Sequence, residues 1–189
     1  MVQKALHFTA KSLDQFLKRQ FDLDESNVQL NNVVEADGSL HPKNENKVVI
    51  SLINIEKETV RAYCVRNEQL SNGKYANGAP AVGYNLYILM TPYFDDYNES
   101  LKFLNAIILF FQTYPSFDAN SSSIFPEGLF KLDFNIENLS YHEMHNLWTS
   151  IGAKYRPSVL YKSWLVSVES NEIKGFEPAV SQISNAVAS

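Results

Sequence analysis

Few residues in this chain have the types and spacing that chemistry requires. His142 and His145 flank Glu143, and at i and i+3 on a helix the two imidazoles would share a face, as the start of a metal site must. The constellation stops there. It is not H-E-x-x-H, no cysteine or third histidine lies close in sequence, and four-coordinate zinc needs three or four convergent ligands. Surface or hydrogen-bonded helix histidines are the reading those gaps leave. Asp95 and Asp96 are adjacent, so they point to different faces, and a helix start, where the dipole favours negative charge, accounts for them better than acid–base work. Cys64 has no flanking motif and reads as a buried or bystander thiol. The sequence holds no G-x-S-x-G elbow, no Walker lysine loop and no G-x-G-x-x-G after a strand, so acyl hydrolysis, nucleotide hydrolysis and dinucleotide binding lack their usual support. The residues alone offer no catalytic set, no cofactor motif and no complete metal site, and a small enzyme using His142, Glu143 and His145 is the weakest of the readings they leave.

The elements around these residues are clearer. From Val2 to Phe21, the residues Ala5, Leu6, Phe8, Leu13, Phe16, Leu17 and Phe21 recur at helical intervals, with Lys4, Lys11, Asp14, Lys18 and Arg19 on the other face. Asn27 to Val34 alternates imperfectly and precedes Asp37-Gly38, which predicts a strand and a turn. Lys47 to Glu56 is a β-branched run suited to a central strand covered on both faces, and Ala81 to Met90 is its expected partner, ended at Thr91-Pro92 where proline removes a ladder donor. Between them, Lys57 to Pro80 is polar, with turn signals at Ser71-Asn72-Gly73 and Asn77-Gly78. It is longer than most connections in a compact domain, and reads as a hairpin arm, an interaction loop or a solvated variable loop.

A second, more buried helix is expected from Asp95 to Thr113, with Tyr97, Leu101, Leu104, Ile108 and Phe111 at helical spacing. Pro115 and the polar run Asp118 to Ser123 break the chain, and Leu129 to Ile136 then alternates as a half-buried antiparallel strand with Phe130, Leu132, Phe134 and Ile136 on one side. Ser140 and Glu143 form a capping box for a short helix whose Leu147, Trp148 and Ile151 face the core, Gly152 ends it, and Ser158 to Val168 is the last strand. Trp148 and Trp164 lie in apolar patterns that point inward and are assigned to the core. The expected fold is a single α+β domain: a mixed, mainly antiparallel sheet packed with two longer helices and one short one. Its bounds are taken as residues 1–168, followed by a C-terminal tail, 169–189, that is flexible or docks on a neighbour.

Composition bounds the partners. The chain has 189 residues, 45 % of them hydrophobic and 20 % charged, enough for a core without disulfides, and its single cysteine gives no sign of an oxidising compartment. The net charge of −5, without clustered lysine and arginine, argues against a partner held mainly through phosphates such as nucleic acid. The N-terminus lacks the apolar run of a signal peptide, and Phe103 to Phe111 is about half of what a bilayer-spanning helix needs. Cytoplasmic synthesis and no membrane insertion are the expectations. Ten tyrosines and twelve phenylalanines suit contact surfaces as well as a core.

Three segments together resemble a known family: Val48 to Glu58 (VISLINIEKE after its first valine), Asn85 to Phe117 (NLYILMTPYFDDYNESLKFLNAIILFFQTYPSF) and Glu137 to Val166 (ENLSYHEMHNLWTSIGAKYRPSVLYKSWLV). In order and spacing they are similar to the DUF4255 domain, the Pvc16 family of tail-terminator or cap proteins of phage-tail-like contractile injection systems, with Tyr84 standing in place of the family's small apolar residue. The resemblance implies a structural role: six copies form a ring that ends the inner tube and engages the last sheath ring. It implies partners in self, tube and sheath, assembly from the cytoplasm into a particle, and no catalysis. Some relatives carry a further C-terminal domain.

Ring closure needs heterologous interfaces, in which one patch meets a different patch on the next copy. These are placed on the Lys57 to Pro80 arm, the tail and the strand edges, with Arg61, Tyr63, Lys74, Tyr75, Arg156, Glu172, Lys174 and Phe176 as candidate contacts. Arg156, just before Pro157, is either an interface charge or a local partner of an acid. A monomeric adaptor that binds a sheath or tube component through a strand edge is the alternative.

Overall fold

The computed structural model describes residues 1–35, 37–59, 67–69, 75–77, 82–122, 124–167 and 175–177. Its first element, α1 (Val2–Phe21), buries Ala5, Leu6, Phe8, Thr9, Leu13 and Leu17 along one stripe, as the apolar spacing predicts. Lys18 and Arg19 sit in its last turn, where cations suit the dipole. The helix stops at Asp22, whose φ of 55° is left-handed, with the Leu23 amide donating to the Lys18 carbonyl at 3.0 Å. Asp14 ties α1 to the chain that follows: its Oδ1 accepts from the Asn27 amide at 2.8 Å and from the Ser26 hydroxyl at 2.9 Å.

Six strands form the main sheet: β1 (Val28–Leu30), β2 (Lys47–Lys57), β5 (Val82–Tyr93), β8 (Val159–Ser167), β7 (Leu129–Ile136) and β6 (Ser116–Asp118), in that spatial order. Only β1 and β2 run parallel; the other neighbours are antiparallel. The sheet is mixed and mainly antiparallel, and the domain is α+β, as expected. β5 and β8 hold its centre. β2 is buried from Val48 to Ser51 and exposed from Asn54 onward.

Two helices, α1 and α2 (Tyr97–Thr113), cover one face. Asp96 caps α2 through the Asn98 amide at 2.7 Å, so the acidic pair is a helix start. The core on this face is aromatic: Phe111 lies 4.4 Å from Tyr161 and 4.6 Å from Phe134 between ring centres, and Phe8 meets Phe117 edge-on at 5.3 Å. Phe16 with Phe110 and Phe21 with Phe103 lock the two helices together antiparallel. On the opposite face, α3 (Tyr141–Ile151) packs Trp148 onto Val33, Leu89 and Leu160. Ser140 and Glu143 form the predicted capping box, and Gly152 ends α3 at φ 76°, a left-handed conformation that glycine adopts without a steric penalty.

Three departures from the sequence pattern have local causes. β5 runs through Pro92 to Tyr93 instead of stopping at it. Pro92 stands opposite Val48, whose amide donates outward to the Asn27 carbonyl, so the two do not bond each other; the missing donor faces the other side, beyond the last paired residue of β8, Val159 opposite Met90. In β7 the register shifts between Leu129 and Lys131, and this bulge turns Leu129 into the core beside Leu132 and Phe134 and leaves Phe130 exposed; Ile136, on the same side as Leu132 and Phe134, is exposed at the end of the strand. β6 forms at the sheet edge from Ser116 to Asp118, part of it in residues read as a chain break.

One buried polar group organises the connection from β1 to β2. Asn44, wholly buried in the short 3-10 turn Pro42–Asn44, donates from Nδ2 to the carbonyls of Asn32 at 2.7 Å and Val33 at 3.1 Å, and its Oδ1 accepts from Asn31 at 3.1 Å. Among the described residues no helix is long and apolar enough to cross a membrane.

Candidate interaction surfaces

The arm and the tail leave the main sheet side by side. β2 ends at Lys57 opposite Tyr84, β5 begins at Val82, and β8 ends at Ser167 opposite Val82. Three neighbouring strands therefore have their open ends at one pole of the sheet. Within the arm, β3 (Asn67–Gln69) and β4 (Tyr75–Asn77) pair antiparallel, and within the tail β9 (Gly175–Glu177) pairs antiparallel with the other side of β4. This small sheet, β3-β4-β9, repeats the order and alternating sense of β2-β5-β8. Tyr75 stands opposite Glu177 and Phe176 opposite Ala76. The structure thus brings two of the candidate contacts, Tyr75 and Phe176, about a hundred positions apart in sequence, into one ladder. Arg61, Tyr63, Lys74, Glu172 and Lys174 lie outside the described residues.

Arg156 is elsewhere. Its guanidinium carbon sits 3.6 Å from the centre of the Tyr93 ring, and Nη1 donates to the Phe94 carbonyl at 3.4 Å. The turn that follows α3 is in this way fastened to the turn that precedes α2. The partner is an aromatic face and a carbonyl, and not the acidic side chain weighed from sequence.

α3 covers only part of its sheet face. Toward the arm the face continues as a row across three strands: the Tyr87 hydroxyl donates to Glu56 Oε2 at 2.9 Å, and Lys162 Nζ lies 5.4 Å from the centre of the Tyr87 ring. Burial, then the Glu56 hydrogen bond, pushes the Tyr87 phenol above its ordinary range, while its hydrogen bond to Lys162 raises that ammonium in turn. The phenol stays protonated at neutral pH, so this row stitches strands together and offers no nucleophile. In the next row Asn85 donates to Glu58 at 3.0 Å, and Lys131, 3.0 Å from Asp133, reaches over Trp164. A Cβ on Gly83 would meet Trp164 Nε1 at 3.0 Å and Glu58 Cβ at 3.2 Å, so a larger residue fits there only by displacing the indole and the Glu58 side chain by a few tenths of an ångström. Trp164 is half-buried on this face, whereas Trp148 is core.

The helix carrying the histidines uses its carboxylate structurally. Glu143 accepts from the Ser140 amide at 2.8 Å, and Ser140 hydrogen bonds hold its carboxyl below the ordinary range. Among the described residues no group of three His, Cys, Asp or Glu could hold a metal ion. Exposed apolar side chains are found instead on α2 (Tyr97, Leu101, Leu109), at the start of α3 (Tyr141) and just after it (Tyr155). The pairing of β9 with β4 and the Arg156 contact were not read from sequence. A three-residue strand is too short to show a period, although Phe176 between Gly175 and Pro178 was the available signal.

The fold is a three-layer α+β body with a paired arm and tail at one pole. The chain belongs to the Pvc16 N-terminal domain family, whose profile matches residues 9–182. No curated protein matches it. Among solved structures it is similar to the PVC sheath/tube terminator of an extracellular contractile injection system in its extended state, with a TM-score of 0.59 and 16 % identity over 95 % of this chain and 61 % of the other. It is also similar to the anti-feeding prophage cap, a tube-terminating cap, with a TM-score of 0.53 and 13 % identity over 94 % of this chain and 59 % of that one. At these identities the likeness is one of fold, and the chain spans about three fifths of the length of these structures.

Proposed function

We propose that this protein is a cap, or tail terminator, of a contractile injection system: a hexameric ring that ends the inner tube and joins it to the last sheath ring, with no catalytic step. The observation that carries this reading is the fold likeness to a sheath/tube terminator over nearly the whole chain, added to family membership. The arrangement of the surfaces supports it. Ring closure by heterologous contact needs two different patches on one molecule, and the arm-and-tail sheet supplies two different strand edges at one pole. In this reading residues 1–168 are the ring body and the tail docks on the arm and the neighbouring copy. Arg61, Tyr63, Lys74, Tyr75, Glu172, Lys174 and Phe176 belong to that contact, and Arg156 shapes the body. Synthesis is cytoplasmic, and the protein leaves with the particle.

The test is size and phenotype together. Native mass spectrometry and negative-stain microscopy, with and without tube fragments, should show six-fold rings, and deleting the gene should give particles with uncontrolled tube length or loose sheath. A protein that stays monomeric with tube fragments present, and whose loss leaves particles unchanged, would sink the proposal and favour a strand-edge adaptor.

A further inference from the structure

The small sheet has only edges to offer. In the order β3-β4-β9 the two outer strands each have one ladder partner among the described residues, and each strand is three residues long. The main sheet is covered by α1 and α2 on one face and by α3 on the other. The small sheet is marginal alone, and an unpaired edge presents a row of N–H and C=O groups that template a further strand. The sense of the edges is also informative. β3 and β9 are both antiparallel to β4 and therefore run parallel to each other.

We propose that β3 of one copy pairs, in parallel, with β9 of the next, so that the arm-and-tail sheets join edge to edge around the ring. This rests on the ring reading above and names its contact. The occupant is a second copy because the geometry suits rotation: turning a copy about an axis along the strands preserves strand sense, so one copy's β9 edge meets the next copy's β3 edge with the same polarity at every interface. Pairing of like edges, β3 on β3 or β9 on β9, would relate two copies by a two-fold axis and stop at a dimer. The main sheet's outer strands, β1 and β6, are the weaker candidates. β1 packs against α1, and β6 runs into a turn in which Asp118 is already occupied by the amides of Asn120 and Ser121.

Disulfide trapping tests this without ambiguity of origin. Within one copy β3 and β9 are separated by β4, which puts their backbones roughly 9.5 Å apart, beyond the roughly 7 Å that a disulfide spans. In the assembled full chain carrying Cys64→Ser, a Glu68→Cys, Phe176→Cys double variant oxidised with copper–phenanthroline should give a ladder of covalent multimers extending past the dimer and collapsing on reduction. Either single variant should give none. Asn67→Cys and Gln69→Cys, each with Phe176→Cys, cover the neighbouring registers, and Glu177→Cys replaces Phe176→Cys if the latter disturbs the reduced ring. If wild-type rings form and none of these pairs passes the dimer, the contact is wrong while the ring stands. A dimer from a single variant would replace it with like-edge pairing, and absence of any ring with tube fragments present would overturn both.

Discussion

Replacing Asn44 by alanine tests how much of the domain's stability one buried amide secures. The side chain makes three hydrogen bonds, two as donor to the Asn32 and Val33 carbonyls and one as acceptor from Asn31. Asn31 is partly exposed and can turn to water, but the Val33 contact is buried, and the alanine methyl leaves its carbonyl with nothing in place of the amide. An unsatisfied buried polar group costs about 1–3 kcal/mol, and losing a second, half-buried bond adds about 0.5–1.5 kcal/mol. The expected loss is therefore about 2–4 kcal/mol, which for a domain of this size lowers Tm by roughly 5–15 °C. Asn44→Asp should be worse than alanine, because it sets a negative charge against two carbonyl oxygens. Urea unfolding followed by tryptophan fluorescence, with an unchanged m-value, reads the difference. An alanine variant within about 0.5 kcal/mol of wild type, or an aspartate variant more stable than alanine, would refute the assignment of Asn44 as the pin of this connection.

Three further outcomes are expected. Gly83→Ala should lower stability by about 1–3 kcal/mol through overpacking and shift the tryptophan near-UV circular dichroism, since the added methyl strikes the Trp164 indole and the Glu58 side chain; an unchanged spectrum would contradict it. Ser140→Ala should cost about 1 kcal/mol at neutral pH. Because the Glu143 pKa is depressed in the folded state, its share of the capping box is present above the ordinary glutamate range and lost as pH falls through the folded value. Stability of wild type relative to Glu143→Gln should therefore decline on acidification, and a flat difference would argue against the box. Arg156→Ala should cost about 0.5–2 kcal/mol, with lysine recovering part of it, and should leave ring formation intact, because the guanidinium is spent on Tyr93 and Phe94. Loss of rings without loss of stability would make Arg156 an interface residue after all.

What could be read from sequence follows from length. α1 and α2 each repeat their apolar stripe over several turns, α3 carries a complete cap at both ends, and β2, β5 and β8 are long runs with turn chemistry at their borders, so existence and type were legible. A bulge is different in kind. The extra residue between Leu129 and Lys131 leaves composition untouched yet puts Leu129 on the core side with Leu132 and Phe134, out of step with strict alternation, and β2 loses its step in the same way between Leu52 and Asn54. Asn44 looks like any turn asparagine until the chain before it folds back over it. The arm could be delimited by Asn77-Gly78 and its polarity, but its pairing with β9 joins segments far apart in sequence, and no local pattern encodes a partner at that distance. The resemblance to a family located the fold; it could not place the contacts.

The shared pole of β2, β5 and β8 has a mechanical consequence. A pull on the arm and tail against the opposite pole enters three neighbouring strands of 11, 12 and 9 residues along their own axes. Ladder hydrogen bonds lie perpendicular to that direction, so they are loaded together in shear instead of being opened one after another from an end. Pulling single molecules by residue 57, at the arm pole, and residue 159, at the opposite pole, loads these strands in shear and should meet a higher rupture force than pulling across the sheet from β1 to β6. The body would then act as an anchor whose strongest direction points at its attachment.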